Sequence, residues 1–432
     1  MWHRIQLVLA NPSKSLWVHP ALGAVFAIVF SLLAKWGGSF FSASAVPNIA
    51  VDTLSDLLNI LSSSMLAVTT FSLSIMVSAL ASGANSATPR ARLLIMSDDS
   101  ARIAIASFIS AFIYAVIAKI ALSLEYYGIQ GRFILFLSTI LMLMYIIFTL
   151  IRWVHTLSQL GSLGDAINKI EKKASASLAH YRHDPNFGAT HSMPHGAADF
   201  VYRNQSTAYV CDIDMASLNQ WAQQYELHLH ICERPGKFCE PEQALVQVFC
   251  QTSRLSEAQW QTLQKGLAKS ILMSNERYYD QDPRFGLLVL SEVAQRAMSA
   301  ATNDPITAMT AMHSITRVLI DTQANETQAK QDFAQLSLAA AEEQDWIASI
   351  FAPIARDSVS NVEVNQRLLR CLGMIYRHAP EQSLRSAAQT LAADIVERSE
   401  TQLSYRADQQ CLQQIFAREF ADSLPVESTP SQ

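Results

Sequence analysis

The chain has few charged residues: Asp, Glu, Lys and Arg make up only 16% of its 432 residues, whereas half of the residues are apolar. A soluble globular chain normally carries roughly a quarter charged residues, so a wholly soluble protein is disfavoured. The formal net charge is −5 and no basic tract is present, which argues against a nucleic-acid partner. The apolar excess lies almost entirely before residue 155, so the chain divides into a membrane part and a larger soluble part.

Familiar catalytic motifs are also missing. The sequence contains no P-loop, no dinucleotide-binding fingerprint, no HExxH pair and no serine or cysteine nucleophile motif, so we expect neither an enzyme nor a cofactor. None of the six cysteines forms a CxxC pair. His228 and His230 share one face of a predicted strand and are compatible with metal binding. Because no Asp or Cys completes a ligand set, we predict solvated histidines and no metal site.

Four apolar segments are each long enough for the roughly 20 residues of a spanning helix; they cover about 17–41, 58–82, 103–127 and 133–153. The first could instead be a cleavable signal, since small residues follow it, but its apolar run is too long for a signal core. Lys and Arg concentrate at the chain start, between the second and third segments and after the fourth. The positive-inside rule then places both termini in the cytoplasm. We predict an α-helical membrane protein with four transmembrane helices in residues 1–156.

A stripe of small and polar residues runs along the second segment. Its members recur at steps of three or four, which places them on one face of a helix: Asn59, Ser63, Ala67, Thr70, Ser74 and Ser78. One interpretation is close helix packing, because small residues let backbones approach and hydroxyls bond their own helix. The other is a pore, in which copies of this helix surround an axis and the hydroxyls line water. The pore requires a homo-oligomer.

Charged residues lie near both ends of that stripe. Asp52 and Asp56 would stand at the outer mouth of a pore, and Arg90 and Arg92 at the inner one, so the ion preference stays open. Within the third segment, Lys119 either has a functional partner or extends its ammonium towards the nearby helix end. We favour the extension.

The soluble part divides into four pieces by pattern and composition: an amphipathic helix and loop linker at 157–205, a small α+β domain at 206–275, a helical domain at 276–424 and a disordered tail at 425–432. Strands are predicted in the α+β domain by alternating apolar residues: 207–213, 227–231 and 244–249. Asp214 and Ser256 each predict the start of a helix, and Pro235-Gly236 predicts a turn.

Two Asp-Pro pairs in the helical domain predict helix starts, with Asp as N-cap and Pro as the first helical residue: Asp282-Pro283 and Asp304-Pro305. Asn303 would end the preceding helix in the left-handed conformation. Asp304 could alternatively act as a general base near Arg296, although capping explains the same residues. Later helices are predicted at about 326–342, 345–356, 359–378, 381–400 and 403–421.

The segments YYDQDPRFG (278–286) and AQRAMSAATNDPITA (294–308) resemble the signature of a bacterial family of predicted membrane proteins, domain of unknown function 2254. The positions that carry the resemblance are Asp282, Pro283, Phe285, Gly286, Arg296, Ala297, Asn303, Asp304 and Pro305. AYVCDID (208–214) and RPGKF (234–238) resemble the family's soluble strand and turn. The resemblance implies a bacterial inner-membrane protein with four membrane helices, and it implies no activity.

The leading hypothesis is an oligomeric channel or permeation pathway, lined by the second membrane helix and gated by the cytoplasmic domain. A membrane-anchored sensor or scaffold without a pore is the alternative, and an enzyme working from the Asp304 region is a third. The lipid bilayer and further copies of the chain are the expected partners. The sequence identifies no small-molecule or ion ligand.

Overall fold

The computed structural model describes residues 47–86, 88–91, 99–159, 162–190, 192–324 and 332–421, together with Val25. The chain forms two compact units, Met1–Ala166 and Ile167–Gln432, which we name the N-terminal unit and the C-terminal unit. The first predicted membrane segment (17–41, apart from Val25), Arg92 and the tail at 425–432 lie outside the described residues.

Long apolar helices form the described part of the N-terminal unit: α1 (Val51–Ser86), α2 (Asp99–Ser123) and α3 (Ile129–Gln159). Each contains a stretch long and apolar enough to cross a bilayer, at Val51–Ser78, Ile103–Ser123 and Ile129–Leu157. The described residues therefore hold three candidate spans of the four predicted. Helix α1 begins seven residues before the predicted start at 58, since the segment that carries Asp52 and Asp56 is also helical. An acidic first turn is favourable at a helix N-terminus.

The three helices pack through small and apolar side chains. Leu54, Leu58 and Leu61 of α1 are buried at steps of three or four, and they belong to the same core cluster as buried alanines of α2. Small side chains let two helix backbones approach closely. The Tyr114 hydroxyl of α2 lies 2.6 Å from Oγ of Ser138 on α3, so a polar contact also joins α2 and α3.

The C-terminal unit contains two sheets, one of five strands in the order β1-β8-β4-β6-β2 and one of three in the order β5-β3-β7. The strands are β1 (Ala189–Thr190), β2 (Phe200–Arg203), β3 (Ala208–Ile213), β4 (Leu227–Ile231), β5 (Phe238–Cys239), β6 (Ala244–Cys250), β7 (Ile271–Ser274) and β8 (Phe333–Leu338). Strand β8 runs parallel to both β1 and β4, and the other pairs are antiparallel. The predicted strands at 207–213, 227–231 and 244–249 are thus confirmed as β3, β4 and β6.

The C-terminal unit also contains helices. They are α4 (Leu163–His183), α5 (Met215–Gln224), α6 (Glu257–Ser270), α7 (Phe285–Met298), α8 (Pro305–Asp321), α9 (Gln344–Asp357), α10 (Val362–His378), α11 (Gln382–Gln402) and α12 (Arg406–Glu419). Of these helices, α5 contacts β4 and β8, and α6 contacts β7. The predicted caps of α5 and α6 are confirmed: the Asp214 side chain accepts from the backbone N–H of Ser217, and Ser256 forms a capping box with Gln259. The amphipathic helix predicted from 157 is α4, and its residues Ile170, Ala174 and Leu178 are fully buried.

Two predictions of secondary structure are wrong. The segment at 326–342, predicted as a helix, contains strand β8. Leu336 lies in the core and faces Leu229 of β4, so pairing between two strands overrides the local helix preference. The loop part of the linker predicted at 157–205 contains β1 and β2, the two edge strands of the five-stranded sheet; strands this short carry little periodicity.

Candidate functional site

The polar stripe predicted in the second membrane segment lies on the exposed side of α1. Asn59, Ser63, Ala67, Thr70, Ser74 and Ser78 are all exposed in the single chain. At about 100° per residue along a helix, the stripe is centred roughly 180° from the buried face formed by Leu54, Leu58, Leu61 and Met65. The structure therefore brings the predicted pore-lining residues together on one surface, and that surface lies opposite the buried face of α1.

The predicted mouth residues continue the same stripe. Asp52 and Asp56 are exposed and precede Asn59 at steps of four and three, which places them on the stripe face of α1. Arg90 is exposed and lies beyond the C-terminal end of α1, whereas Arg92 falls outside the described residues. One end of the stripe thus carries carboxylates and its middle carries hydroxyls.

Lys119 has a partner that the sequence analysis missed. Its Nζ donates a hydrogen bond of 2.9 Å to Oδ1 of Asn59, the first uncharged member of the stripe. The expectation that Lys119 extends only towards the helix end therefore gives way to a side-chain contact between α2 and α1. A lone amide and a lone ammonium in two apolar segments were visible in the sequence, but no local pattern pairs positions so far apart.

Several stripe hydroxyls also bond their own helix. Ser63 Oγ donates to the Asn59 carbonyl at 2.9 Å, and Thr70 Oγ1 donates to the Ala67 carbonyl at 2.9 Å. Such bonds satisfy the hydroxyl proton without any partner outside the helix. Each oxygen still has lone pairs that can accept a hydrogen bond from water or from another helix.

A cavity of about 280 Å³ opens in the C-terminal unit. It lies beyond the carboxyl ends of the parallel strands β4 and β8, because Glu233 and Arg234 follow β4 and the segment 339–342 follows β8. Four basic and three acidic side chains line it, namely Arg234, Lys237, Arg277 and Arg284 with Glu233, Asp282 and Glu342. Two segments noted for their family resemblance, 234–238 and 278–286, therefore meet at one site.

The turn before β5 forms one wall of this cavity. The Lys237 N–H bonds the Arg234 carbonyl at 3.2 Å, and Gly236 has a φ of +91°, as expected for a Pro-Gly turn of type II. A Cβ at Gly236 would overlap the Asp282 carboxylate. The predicted turn is confirmed, and its glycine is required both by backbone conformation and by the close approach of Asp282.

Asp282 and Arg277 form a buried ion pair beneath that turn. Arg277 donates to Oδ2 of Asp282 through Nε at 2.9 Å and through Nη2, and their side chains are 14% and 4% exposed. Oδ1 accepts the backbone N–H groups of Arg284 and Phe285 at 3.2 and 3.1 Å. Burial raises the pKa of the Asp282 carboxyl and the Arg277 guanidinium opposes that rise. All four bonds favour the ionised form.

Asp282 was predicted as the N-cap of a helix that begins at Pro283. Its carboxylate does accept the first N–H groups of α7, but the helix begins at Phe285, two residues later, with Arg284 in the capping position. Asp282 therefore caps α7 as predicted, but the helix begins two residues later than predicted. The same carboxylate also bonds Arg277.

Arg234 holds three loops of the cavity in place. Its guanidinium donates to the Ala339 carbonyl at 2.6 Å, the Pro185 carbonyl at 2.7 Å and Oδ1 of Asn186 at 2.8 Å. Burial lowers the pKa of Arg234, although a guanidinium stays protonated in proteins. Lys237 and Arg284 differ, because their side chains make no hydrogen bond or ion pair within the described residues.

The Asn303-Asp304-Pro305 motif is a helix junction. Asn303 has a φ of +46°, the Asp304 side chain accepts from Thr307 N at 3.0 Å, and Pro305 is the first residue of α8. Hydrogen bonds from Thr307 lower the pKa of Asp304, which leaves its carboxylate a weak base. The predicted capping role of Asp304 is confirmed by these contacts. Asn303 has the predicted left-handed conformation but does not end α7, which ends at Met298. Arg296 lies in the last turn of α7.

His228 and His230 lie on one face of β4, as predicted, and both contact the buried hydroxyl of Ser337 on β8. The distances to Ser337 Oγ are 3.0 Å from His228 Nε2 and 2.9 Å from His230 Nδ1. Burial lowers the pKa of both imidazoles, so they are half-buried strand residues and not freely solvated ones. Within the described residues, no group of three or more His, Cys, Asp or Glu side chains could hold a metal ion.

Taken together, helices able to cross a bilayer and a unit of two sheets with helices define a membrane protein with an α+β region. The profile of the family described as Predicted membrane protein (DUF2254) matches residues 13–374. Because this match covers most of the chain, the protein belongs to that family, and the resemblance noted in its sequence is confirmed. No curated protein and no solved structure matches the chain.

Proposed function

We propose that this protein is an oligomeric channel or permeation pathway of the bacterial inner membrane, with α1 lining the pathway and both termini in the cytoplasm. The observation that carries the proposal is the stripe from Asp52 to Ser78, which lies opposite the buried face of α1 and contacts α2 through the hydrogen bond from Lys119 to Asn59. The sequence places no lysine or arginine on this stripe.

Contact with lipid acyl chains would be energetically unfavourable for this polar surface. Unsatisfied polar atoms are costly in hydrocarbon, and the Lys119 ammonium bonded to Asn59 adds a charge at the same surface. Copies of α1 around an axis would instead give the hydroxyls water, and rings of hydroxyls wet a pore without trapping an ion. Asp52 and Asp56 would form carboxylate rings at one mouth, and such rings attract cations. We therefore expect cations to be attracted to this mouth, whereas the Lys119 ammonium opposes them farther along the stripe.

Gating by the C-terminal unit is the second part of the proposal. Helix α4 contains the boundary between the two units, so any displacement of the C-terminal unit acts on a continuous helix that follows the membrane helices. A helix transmits such a displacement because its backbone bonds are satisfied internally.

The test is cation flux through purified full-length protein in liposomes, with substitutions on the stripe. Thr70→Leu and Ser74→Leu replace hydroxyls by branched apolar side chains, and each should reduce flux at least tenfold. The matched control is Phe148→Leu, on an exposed apolar position of α3, which should leave flux unchanged. Wild-type protein without flux under voltage or membrane tension, or stripe variants as active as wild type, would contradict the channel.

A membrane-anchored sensor or scaffold without a pore is the second candidate. The hydroxyls that bond their own helix favour it, because a helix whose Ser and Thr protons are satisfied internally can pack tightly against a neighbour. Cysteines placed along 59–78 separate the two candidates: a water-soluble thiol reagent modifies every third or fourth position of a pore and none of a dry contact. In either case we propose a protein that is not an enzyme, since Asp304 serves as a helix cap.

A further inference from the structure

The cavity beyond β4 and β8 has features of a ligand site that the channel proposal does not use. Ligands of sheets with parallel strands bind outside the carboxyl ends of those strands, where the following loops diverge. Here β8 runs parallel to β4, and the loops after both strands line a cavity of about 280 Å³. That volume suits a small metabolite and is too small for a folded partner.

The walls of the cavity are held in a fixed geometry. Arg234 ties the loop after β4 to the loop after β8 and to the chain after α4, and the Asp282–Arg277 pair supports the Pro-Gly turn from below. Walls fixed by their own hydrogen bonds do not have to be ordered by a ligand, which removes one cost of binding.

Lys237 and Arg284 are the lining cations best able to bind a ligand, and the Arg284 charge also stabilises the Asp282 carboxylate. Arg277 is neutralised by Asp282, and three of the five N–H donors of Arg234 bond two carbonyls and the Asn186 amide oxygen. The side chains of Lys237 and Arg284 make no hydrogen bond or ion pair within the described residues, although both line the cavity. A lysine supplies a compact charge and an arginine a planar fork, and both suit phosphate or carboxylate oxygens.

We propose that this cavity binds a small oxyanion, a phosphate- or carboxylate-bearing metabolite, through Lys237 and Arg284. The proposal is independent of the channel, since it concerns the C-terminal unit alone. Glu233 and Glu342 also line the cavity, and a ligand hydroxyl or amine can donate to them. Glu233 already accepts a hydrogen bond of 2.7 Å from Gln243 Nε2.

The test is isothermal titration calorimetry on the full-length protein in detergent, with inorganic phosphate, pyrophosphate and citrate as probes. At least one probe should bind saturably to wild type at millimolar or lower concentration. Lys237→Gln and Arg284→Gln should each weaken that binding at least tenfold. Preference for phosphate and pyrophosphate over citrate would identify a phosphorylated ligand, and the reverse preference a carboxylate; either result supports the site.

The matched control is Lys265→Gln, which removes an exposed cation of α6 that does not line the cavity and should bind as wild type does. Thermal midpoints without probe separate lost binding from lost folding, because within the described residues neither the Lys237 nor the Arg284 side chain makes a hydrogen bond or a salt bridge. No saturable binding of any probe to wild type would overturn the proposal. Equal affinity in wild type and in both cavity variants would overturn it as well.

Discussion

The Asp282 carboxylate makes several of the contacts that hold the cavity walls together. Its carboxylate bonds the buried guanidinium of Arg277, accepts the first N–H groups of α7 and lies against Gly236. Removing one partner of a buried ion pair leaves an uncompensated charge, which costs more than the pair itself contributes. At the residue scale, stability at this site therefore depends on one carboxylate.

We predict that Asp282→Asn destabilises the C-terminal unit by about 3–5 kcal/mol, because Arg277 would be left buried without its counter-charge. The control lies two positions earlier: Asp280 pairs with Lys173 at 2.5 Å, but the Lys173 and Asp280 side chains are 39% and 65% exposed. Asp280→Asn should cost no more than about 1 kcal/mol. Denaturant titration followed by tryptophan fluorescence would measure both values, and equal losses would contradict the assignment.

A second prediction at this scale concerns pH. Burial lowers the pKa of His228 and His230 in the folded state, so below about pH 6.5, the ordinary value, the unfolded chain binds protons that the folded chain does not. Above that pH the two histidines make their full contribution to the free energy of unfolding. That contribution is lost as the pH falls through their folded-state pKa values.

Thermal melting of wild type between pH 7.5 and 5 would show this loss. The double variant His228→Gln/His230→Gln should show a smaller fall in melting temperature than wild type over the same pH interval. Other titrating groups are shared by the two proteins, so only the difference between them reports on the imidazoles. Parallel curves would show that these histidines do not contribute.

At the scale of elements, α7 and α8 meet at a junction whose residues were predicted from sequence. The left-handed Asn303, the Asp304 cap and Pro305 at the start of α8 each have a local cause, which is why one sequence sufficed to predict them. The same holds for the caps at Asp214 and Ser256. Strand β8 was not predictable in this way, because its neighbours β1 and β4 lie far away in the chain.

At the cavity, too, local features could be predicted from sequence, whereas contacts between distant segments could not. The Pro-Gly turn follows from two residues, whereas the contact between that turn and Asp282 depends on how β5, β7 and α7 are arranged. The sequence drew attention to the segments 234–238 and 278–286 separately. Nothing local indicated that they would face each other, nor that Lys237 and Arg284 would share a cavity.

The cap at Asp304 provides a prediction for this junction. Asp304→Ala should destabilise the C-terminal unit by about 1 kcal/mol, the usual value of an N-cap, and Asp304→Asn should cost less because Asn also caps well. Denaturant titration measures both. A much larger loss of stability for Asp304→Asn than for Asp304→Ala would contradict the capping role. Asp304 would then again be a candidate for a role that needs its charge.

At the scale of the whole molecule, the exposed stripe of α1 is the feature that a single copy of the chain leaves unexplained. We predict that single cysteines at Ser63 or Thr70 form disulfide-linked dimers between copies in native membranes under mild oxidation. A cysteine at Ile147, on an exposed apolar position of α3, should not. The six native cysteines all lie after residue 210, so they would first be replaced by serine or alanine. Monomers at every position would contradict assembly through α1.

The position of β8 in the five-stranded sheet has a consequence for how the protein is made. Strand β4 ends at Ile231, but its parallel neighbour β8 begins only at Phe333, roughly 10 s later at a synthesis rate of about 10 residues per second. Until then the nascent polypeptide exposes an unpaired edge on β4, and such edges recruit other strands. Ribosome-bound chains that stop before residue 333 should therefore depend on chaperones, whereas chains that have released Leu338 can close the sheet.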